Sequence, residues 1–582
     1  MPTFGEEDRL PRVPLPTLQD TTDRFLAWCA PLLTLDELAT TEAAVADLLA
    51  PGSPAHDLHA DLVAYDGQPG VASWLDEFWR DRYLGRRDRI ALNANFFFLF
   101  EDSELGQIER AAHLTASAVA YKLSIDDETL PVAEQRGKPL SMQQNRYLFS
   151  ATRIPGDPRD TSRTPYTDEW PGPSQERHIV VLHRGAQVAL DVIDPDGRPY
   201  TADEIATGLR TVLDQEPGAG VGALTSKARA EWAASRAALL DTGNGDTLDV
   251  LERALFCVAL EDSTPADPLA ASDALLHGDG ANRWFDKGVS LIVFADGTAG
   301  FNGEHCNLDG TTIIALLDAI LQAEPHGGGG AGVPTTRRLE FALDDVLRAD
   351  IAAARADFAA FAASTATVTL SVDFDAERAK ALKCSPDAFA QLAFQLAHQR
   401  AKGHVGATYE SIATRSFRHG RTEAMRVVTP EVLAFVAAMD QPDLDARREG
   451  FRAAADAHVA RAKQCQAGLA PEQHLWELQL RQKRQGGGEP MSLFDSPGWT
   501  VMRDDYLSTS AVPSPHIRYW GFGSTSEKCI GVGYAMLPDR FDLYLSTPRT
   551  VADRMAVFAR ELPVVVRELE ELLDGGQRNA HQ

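Results

Sequence analysis

Phe301 to Thr311 reads FNGEHCNLDGT and contains a His-x-x-x-Asp-Gly, with His305, Asp309 and Gly310. A histidine in a tight loop can take a proton from a hydroxyl. A carboxylate four residues on, beside a glycine turn, can fix the loop that carries it. The same spacing also suits a structural histidine, so these residues alone leave both readings open. Cys306, beside His305, has no second base near it in sequence and reads as a packed small residue rather than a nucleophile. Further on, Lys380 and Lys383 precede Ser385-Pro386-Asp387, and Ser508-Thr509-Ser510 taken alone is a polar strand edge.

The elements around these residues follow from periodicity and caps. Ser290 to Ala295 is an apolar run closed by Asp296-Gly297, which predicts a buried strand, a turn and a short return strand before the His loop, with a helix over 311–323 after it. Ser385 suits an N-cap, Pro386 the first helical position and Asp387 the positive end of the dipole. The helix buries Phe389, Leu392, Ala393 and Leu396 and stops at Gly403. Leu10 to Pro16 is a proline-stiffened arm. It leads into an amphipathic helix with Leu18, Phe25, Leu26, Cys29, Leu32 and Leu33 buried. Trp74 to Leu84 and 107–122 read as helices, 90–100 as β-like, and 179–182 with 188–192 as paired strands. Helices are expected over 228–240, 248–260, 343–363 and 443–463, and strands over 367–374 and around 499–509. Strands and a helix close the chain from 551 to 573. Pro325 to Pro334 is a glycine loop; no strand feeds it and no Lys-Ser/Thr follows, so it is not a phosphate-binding fingerprint. Strands and helices mix without strict alternation, which predicts an α/β or α+β architecture in two domains.

Composition narrows the function classes. The chain has 582 residues, 44% apolar and 24% charged, as expected of a soluble globular protein. A net charge of −28 argues against broad nucleic-acid binding but allows a local basic pocket for a small anion. The six cysteines form no Cys-x-x-Cys pair, so neither a disulfide framework nor a zinc ribbon is expected, nor any metal site. No signal segment or apolar run near ~20 residues is present, so a cytoplasmic protein without a membrane span is expected.

Several stretches form an ordered set: LPRVPLP (Leu10 to Pro16), WLDEFWRDRYL (Trp74 to Leu84), PLSMQQNRYLFSATRIPG (Pro139 to Gly156), RHIVVLHRG (Arg177 to Gly185), ALTSKARAEW (Ala223 to Trp232) and NRWFDK (Asn282 to Lys287). EHCNLDG (Glu304 to Gly310), SPDAFAQLAFQLA (Ser385 to Ala397), ATYESIATRSFRHGRTEAMR (Ala407 to Arg426) and LSTSAVP (Leu507 to Pro513) complete it. Over nearly its whole length the sequence resembles the choline/carnitine O-acyltransferase family and is carnitine acetyltransferase-like. The resemblance implies an α/β fold of two CoA-dependent acyltransferase (chloramphenicol acetyltransferase-like) domains with the active-site tunnel at their interface. The expected division is an N-terminal segment 1–92 packing with the C-terminal domain, an N-terminal domain 93–344 carrying the histidine, and a C-terminal domain 345–582 carrying the CoA and acceptor sites. A monomer is expected, with acyl-CoA as cosubstrate and no permanently bound cofactor.

The resemblance also implies roles. His305 is the catalytic base, Asp309 matches the family's acidic position, and Arg421 the arginine that pairs with that acid. Ser510 is the oxyanion donor and Ser508 helps hold the acceptor. Lys380, Lys383 and Asp387 contact CoA, while a more N-terminal lysine is missing, with Ala376 near its place. Tyr409 and Thr422 match groups that hold the carboxylate of carnitine, and Ser411 completes the family's Tyr-Glu-Ser. The third such group is an arginine in Asp-Arg-His-Leu, but here the segment reads Glu472-Gln473-His474-Leu475. Gln473 cannot supply a charged bidentate clamp. Choline enzymes carry a neutral amide there but lack the threonine, so the pocket is intermediate. Phe522 matches an aromatic facing the trimethylammonium group, and Trp520 falls where a bulky residue restricts the acyl chain to acetyl-like lengths. The expected function is therefore acyl transfer between CoA and carnitine, choline or a similar amino alcohol. The alternatives are another acceptor, as a metabolite or carrier-bound biosynthetic intermediate, and a non-catalytic binding protein.

Overall fold

The computed structural model describes residues 2–323 and 332–580, without the side chains of 576–580. Most of the glycine loop expected at 325–334 lies outside the described residues. The chain divides into two compact units. One comprises Met1–Asp8, Arg80–Thr367 and Ser514–Gly523; the other comprises Arg9–Trp79, Val368–Pro513 and Ser524–Gln582. These boundaries differ from cuts at 92/93 and 344/345, because pairing between strands distant in sequence decides membership. The strand Ile517–Phe522 joins the first unit by pairing antiparallel with Phe96–Phe100.

The first unit is built on an eight-stranded mixed sheet. Its order is Thr336–Arg338, Ala186–Asp191, His178–His183, Cys257–Leu260, Ser290–Val293, Ala299–Gly303, Phe96–Phe100 and Ile517–Phe522. Strands Phe96–Phe100 and Cys257–Leu260 are apolar throughout, and with Ser290–Val293 they are buried along their whole length, as strands covered on both faces must be. Helix Gln107–Asp126 packs on Ser290–Val293 and on Gly310–Gln322, the helix that follows the His loop.

The second unit holds a six-stranded sheet in the order Thr365–Val372, Arg540–Pro548, Ile530–Leu537, Leu507–Ala511, Thr408–Ala413 and Thr422–Arg426. Helix Pro386–Lys402 packs against it and against helices Leu444–Gln466 and Ala552–Ala580. Its ends are as the sequence predicts. Ser385 Oγ accepts the Ala388 N–H at 3.4 Å, and Gly403 stops the helix at φ +81°, a conformation that favours glycine. Phe389, Leu392, Ala393 and Leu396 are all buried.

Four local expectations are corrected. The strand near Phe100 begins only at Phe96, because Leu92 sits at φ +71° and its carbonyl accepts the Gly523 N–H at 3.1 Å. The helix expected over 248–260 ends at Arg253, and Cys257–Leu260 becomes a strand flanked by parallel partners. The sheet captures an apolar run too short to signal its own state. Trp499 lies in helix Pro497–Arg503, capped by Ser496, and the strand starts at Leu507. In the first helix, Leu18–Cys29, Trp28 takes the buried place assigned to Leu26. Leu32 and Leu33 lie beyond its end and are half-buried. Among the described residues, no helix is long and apolar enough to cross a membrane.

Candidate active site

The His loop leaves strand Ala299–Gly303 and ends where helix Gly310–Gln322 begins. His305 is partly open, its side chain 26% exposed, whereas Asp309 is buried. The imidazole lies between two rings. Tyr83 stacks on it at 4.9 Å between centroids and 21° between planes, and Phe96 meets it edge-on at 5.2 Å. His305 Nδ1 is 3.6 Å from Asp309 Oδ1. The other Asp309 oxygen accepts Gln144 Nε2–H at 2.7 Å, and Gln144 Oε1 accepts the Asp309 N–H at 2.8 Å and the Thr312 hydroxyl at 3.0 Å. Gln144 thus clamps the acid to the first turn of the following helix. Sequence reasoning missed Gln144 and Tyr83, whose partners lie far away in the chain.

Beside His305 the sheet presents an aromatic face. Phe98 contacts Phe96, Phe301 and Trp520, and Trp520 contacts Phe522. The register sets Phe96 opposite Phe522 and Phe98 opposite Trp520, which explains why these rings share one side. Trp520 is buried and Phe522 half-buried. The first unit therefore brings His305, Asp309, Trp520 and Phe522 into one neighbourhood.

The second unit carries the remaining residues. Tyr409 pairs with Ser508 in parallel register, and Ala413 with Thr422 antiparallel. Alternation then puts Tyr409, Ser411, Thr422, Ser508 and Ser510 on one face of the sheet. Gln473, on helix Pro471–Arg484, is buried and donates its amide N–H to the Thr422 carbonyl at 2.7 Å. Its amide oxygen is buried with no hydrogen-bond partner. Arg421 lies in the turn before Thr422, its guanidinium 5.1 Å from the Trp79 ring centre.

On the opposite face, Glu410 and Thr509 meet helix Pro386–Lys402, where Gln391 Nε2 donates to the Thr509 hydroxyl at 2.9 Å and to Tyr534 Oη at 3.2 Å. Tyr534 Oη donates to Asp387 Oδ1 at 2.5 Å and lies 3.3 Å from Glu410 Oε1, while His458 Nε2 bonds Asp387 Oδ2 at 3.0 Å. Burial raises the Asp387 carboxyl, but His458 and Tyr534 outweigh it and hold Asp387 below its usual range. Burial, then the Asp387 charge, pushes Glu410 well above its usual range, so Glu410 carries the proton of the pair. Asp387, Glu410 and His458 are the one grouping of metal-ligand type among the described residues. Hydrogen bonds through Tyr534 and His458 hold Asp387, whose side chain keeps 39% of its surface exposed above a buried base. Lys380 pairs with Glu377 at 2.7 Å on the surface, and exposed Lys383 stands at φ +57° with its carbonyl accepting Arg452.

A partly open histidine beside a buried, fixed acid can shuttle a proton, and the aromatic face beside it can seat an apolar or cationic group. Comparison with known proteins supplies the class. The sequence matches the Choline/Carnitine o-acyltransferase family over residues 13–563. Mitochondrial carnitine O-palmitoyltransferase 2 of Mus musculus is 32% identical over 596 aligned residues, covering 93% of this chain and 88% of that one. Carnitine O-acetyltransferase of Columba livia is 31% identical, covering 98% and 95%, and that of Homo sapiens 30%, covering 99% and 95%. The chain belongs to the choline/carnitine O-acyltransferase family. It is an acyltransferase that uses acyl-CoA as cosubstrate.

Proposed function

We propose that this enzyme moves a short, acetyl-like acyl group between CoA and the hydroxyl of carnitine, choline or a similar small amino alcohol, with His305 as general base. The observation that carries the reading is the seating of His305, held by Tyr83 and Phe96 with Asp309 fixed by Gln144 behind it. A thioester is already activated, so no covalent enzyme intermediate is required. His305 takes the hydroxyl proton as that oxygen attacks the thioester carbonyl, then returns it to the leaving thiolate. The intermediate's oxyanion needs a donor, the role given to Ser510. Asp387, oriented by His458 and Tyr534, accepts a hydrogen bond from the CoA arm, and Lys380 and Lys383 meet its phosphates. Tyr409, Ser411, Thr422 and Ser508, on one sheet face, hold the acceptor. Trp520 fills the aromatic face and limits the acyl chain, and Phe522 offers a ring to a quaternary cation.

Gln473 favours a second reading of the acceptor. Its amide brings no charge, and its buried oxygen asks for a donor rather than a carboxylate. An acceptor without a carboxylate, whether a free metabolite or a carrier-bound intermediate, satisfies that requirement. Thiol release from acetyl-CoA across carnitine, choline and other amino alcohols tests both. His305→Ala is expected to lower turnover by about 10²–10⁴-fold while CoA binding persists. Retained turnover in that variant would refute His305 as the base. Wild-type silence with every acceptor, despite CoA binding, would refute catalysis of this kind.

A further inference from the structure

Arg153 lies in PLSMQQNRYLFSATRIPG, has no role in the chemistry above, and is the centre of a buried charge lattice. Its guanidinium has no solvent exposure and spends its nitrogens on three different segments. Nε donates to Asp160 Oδ2 at 2.6 Å, Nη1 to Glu304 Oε1 at 3.0 Å, and Nη2 to the Tyr83 carbonyl at 2.7 Å. Two of the three are the supports of His305. Glu304 is the residue before it, and the second Glu304 oxygen accepts the N–H of Cys306, the residue after it, at 2.9 Å. Tyr83 is the residue whose ring stacks on the imidazole. One side chain therefore fixes the loop that carries His305 and the chain that carries the ring against it.

The lattice behind Arg153 keeps that side chain still. Asp160 also accepts Arg229 Nε at 2.6 Å and Arg87 Nη2 at 2.8 Å, and its first oxygen takes the Gly156 N–H at 3.0 Å. Arg229 Nη2 lies 2.6 Å from Asp286, which accepts Trp232 Nε1–H at 2.6 Å and, through its carbonyl, the Arg153 N–H at 2.9 Å. Three arginines face three carboxylates: Arg87, Arg153 and Arg229 against Asp160, Glu304 and Asp286. Burying so many ions is a poor route to stability, because desolvation consumes most of the Coulomb gain and apolar replacements often serve as well. What such a lattice supplies is a single geometry, since the planar Arg153 guanidinium reaches its three acceptors in only one arrangement.

We infer that Arg153, through Glu304 and Tyr83, is the positioning residue that sets the angle and depth of the His305 imidazole. The inference rests on His305 being the base. Lysine at 153 keeps the charge but cannot reach three acceptors in three directions, so the loop and the Tyr83 chain lose their common anchor. Glu304→Gln keeps the shape but replaces one of its two acceptor oxygens by a donor, so either the Arg153 bond or the Cys306 bond is lost.

The test measures kcat, KM for both substrates and thermal midpoint for the full-length wild type, Arg153→Lys, Glu304→Gln and His305→Ala. Turnover is normalised to CoA-binding sites, so that a misfolded fraction does not count. A displacement of the base of about 1 Å can cost 10²-fold in rate, so a kcat fall of about 10- to 100-fold is expected in both lattice variants. KM values should stay within about two-fold, and the pH profile of kcat/KM should shift, because the base has lost its fixed surroundings. Should Arg153→Lys not fold, Glu304→Gln decides alone. The inference is overturned if His305→Ala is inactive while a folded lattice variant keeps its normalised kcat and pH profile. It is also overturned if both lattice variants simply unfold, which would make the lattice structural only. Activity retained in His305→Ala defeats the base assignment instead, and is distinguishable on that ground.

Discussion

Gln473→Arg is the sharpest perturbation of the proposed acceptor site. Gln473 is 5% exposed and spends its amide N–H on the Thr422 carbonyl at 2.7 Å. A guanidinium can make that bond too and still aim a second N–H pair at a ligand carboxylate, as glutamine cannot. A hydrogen bond to a charged group is worth about 1.5–3 kcal/mol, equivalent to about 10- to 100-fold in affinity. Desolvation of a guanidinium in a buried place takes back part of this. The nearby carboxylate of Glu472 offers little compensation, because it is already paired with Arg426 at 2.5 Å. The expected net effect is therefore at the lower end: kcat/KM for carnitine rises about ten-fold, and that for choline does not rise. The assay is thiol release from acetyl-CoA against titrated carnitine and choline, with the thermal midpoint as a check on folding. A folded variant with unchanged or lower carnitine turnover would refute both the placement of this residue in the acceptor site and the argument that its missing charge governs the choice.

Trp520→Ala should raise turnover of octanoyl-CoA relative to acetyl-CoA while destabilising the first unit by about 3–5 kcal/mol, since a buried indole in contact with Phe98 is lost; an unchanged chain-length ratio would remove Trp520 from the acyl path. Burial, reinforced by Glu472, holds the Glu423 carboxyl well above its usual range. The folded protein keeps a proton there that the unfolded chain releases above about pH 4.3. Stability at this group therefore falls by about 1.4 kcal/mol per pH unit between the unfolded and folded values. Glu423→Gln removes that slope, so its advantage in thermal midpoint should grow from pH 5 to pH 8; parallel curves would contradict the argument. Burial pushes His398 down to about 3, so its stabilising contribution is complete above the unfolded value near 6.5 and is lost as pH falls toward 3. His398→Gln should accordingly show a shallower loss of stability than wild type between pH 6 and pH 4, measured by denaturant titration.

What the sequence by itself determined is local or ordered along the chain. The apolar run, turn and glycine around His305 predict a strand, a return strand and a helix, because burial and backbone freedom act over a few residues. The cap at Ser385 and the stop at Gly403 follow from the same short-range chemistry. The family was legible in ordered motifs, and Gln473 stood out within them as a single letter. Only the tertiary structure decided what holds these residues. Cys257–Leu260 became a strand because the sheet had a place for it, and Ile517–Phe522 crossed to the first unit because Phe96–Phe100 offered an edge. Gln144 meets Asp309 across 165 positions and Arg153 meets Glu304 across 151, distances at which sequence spacing carries no signal. A hydrogen bond or a ring contact depends on position in space, and that position is set by the packing of whole elements.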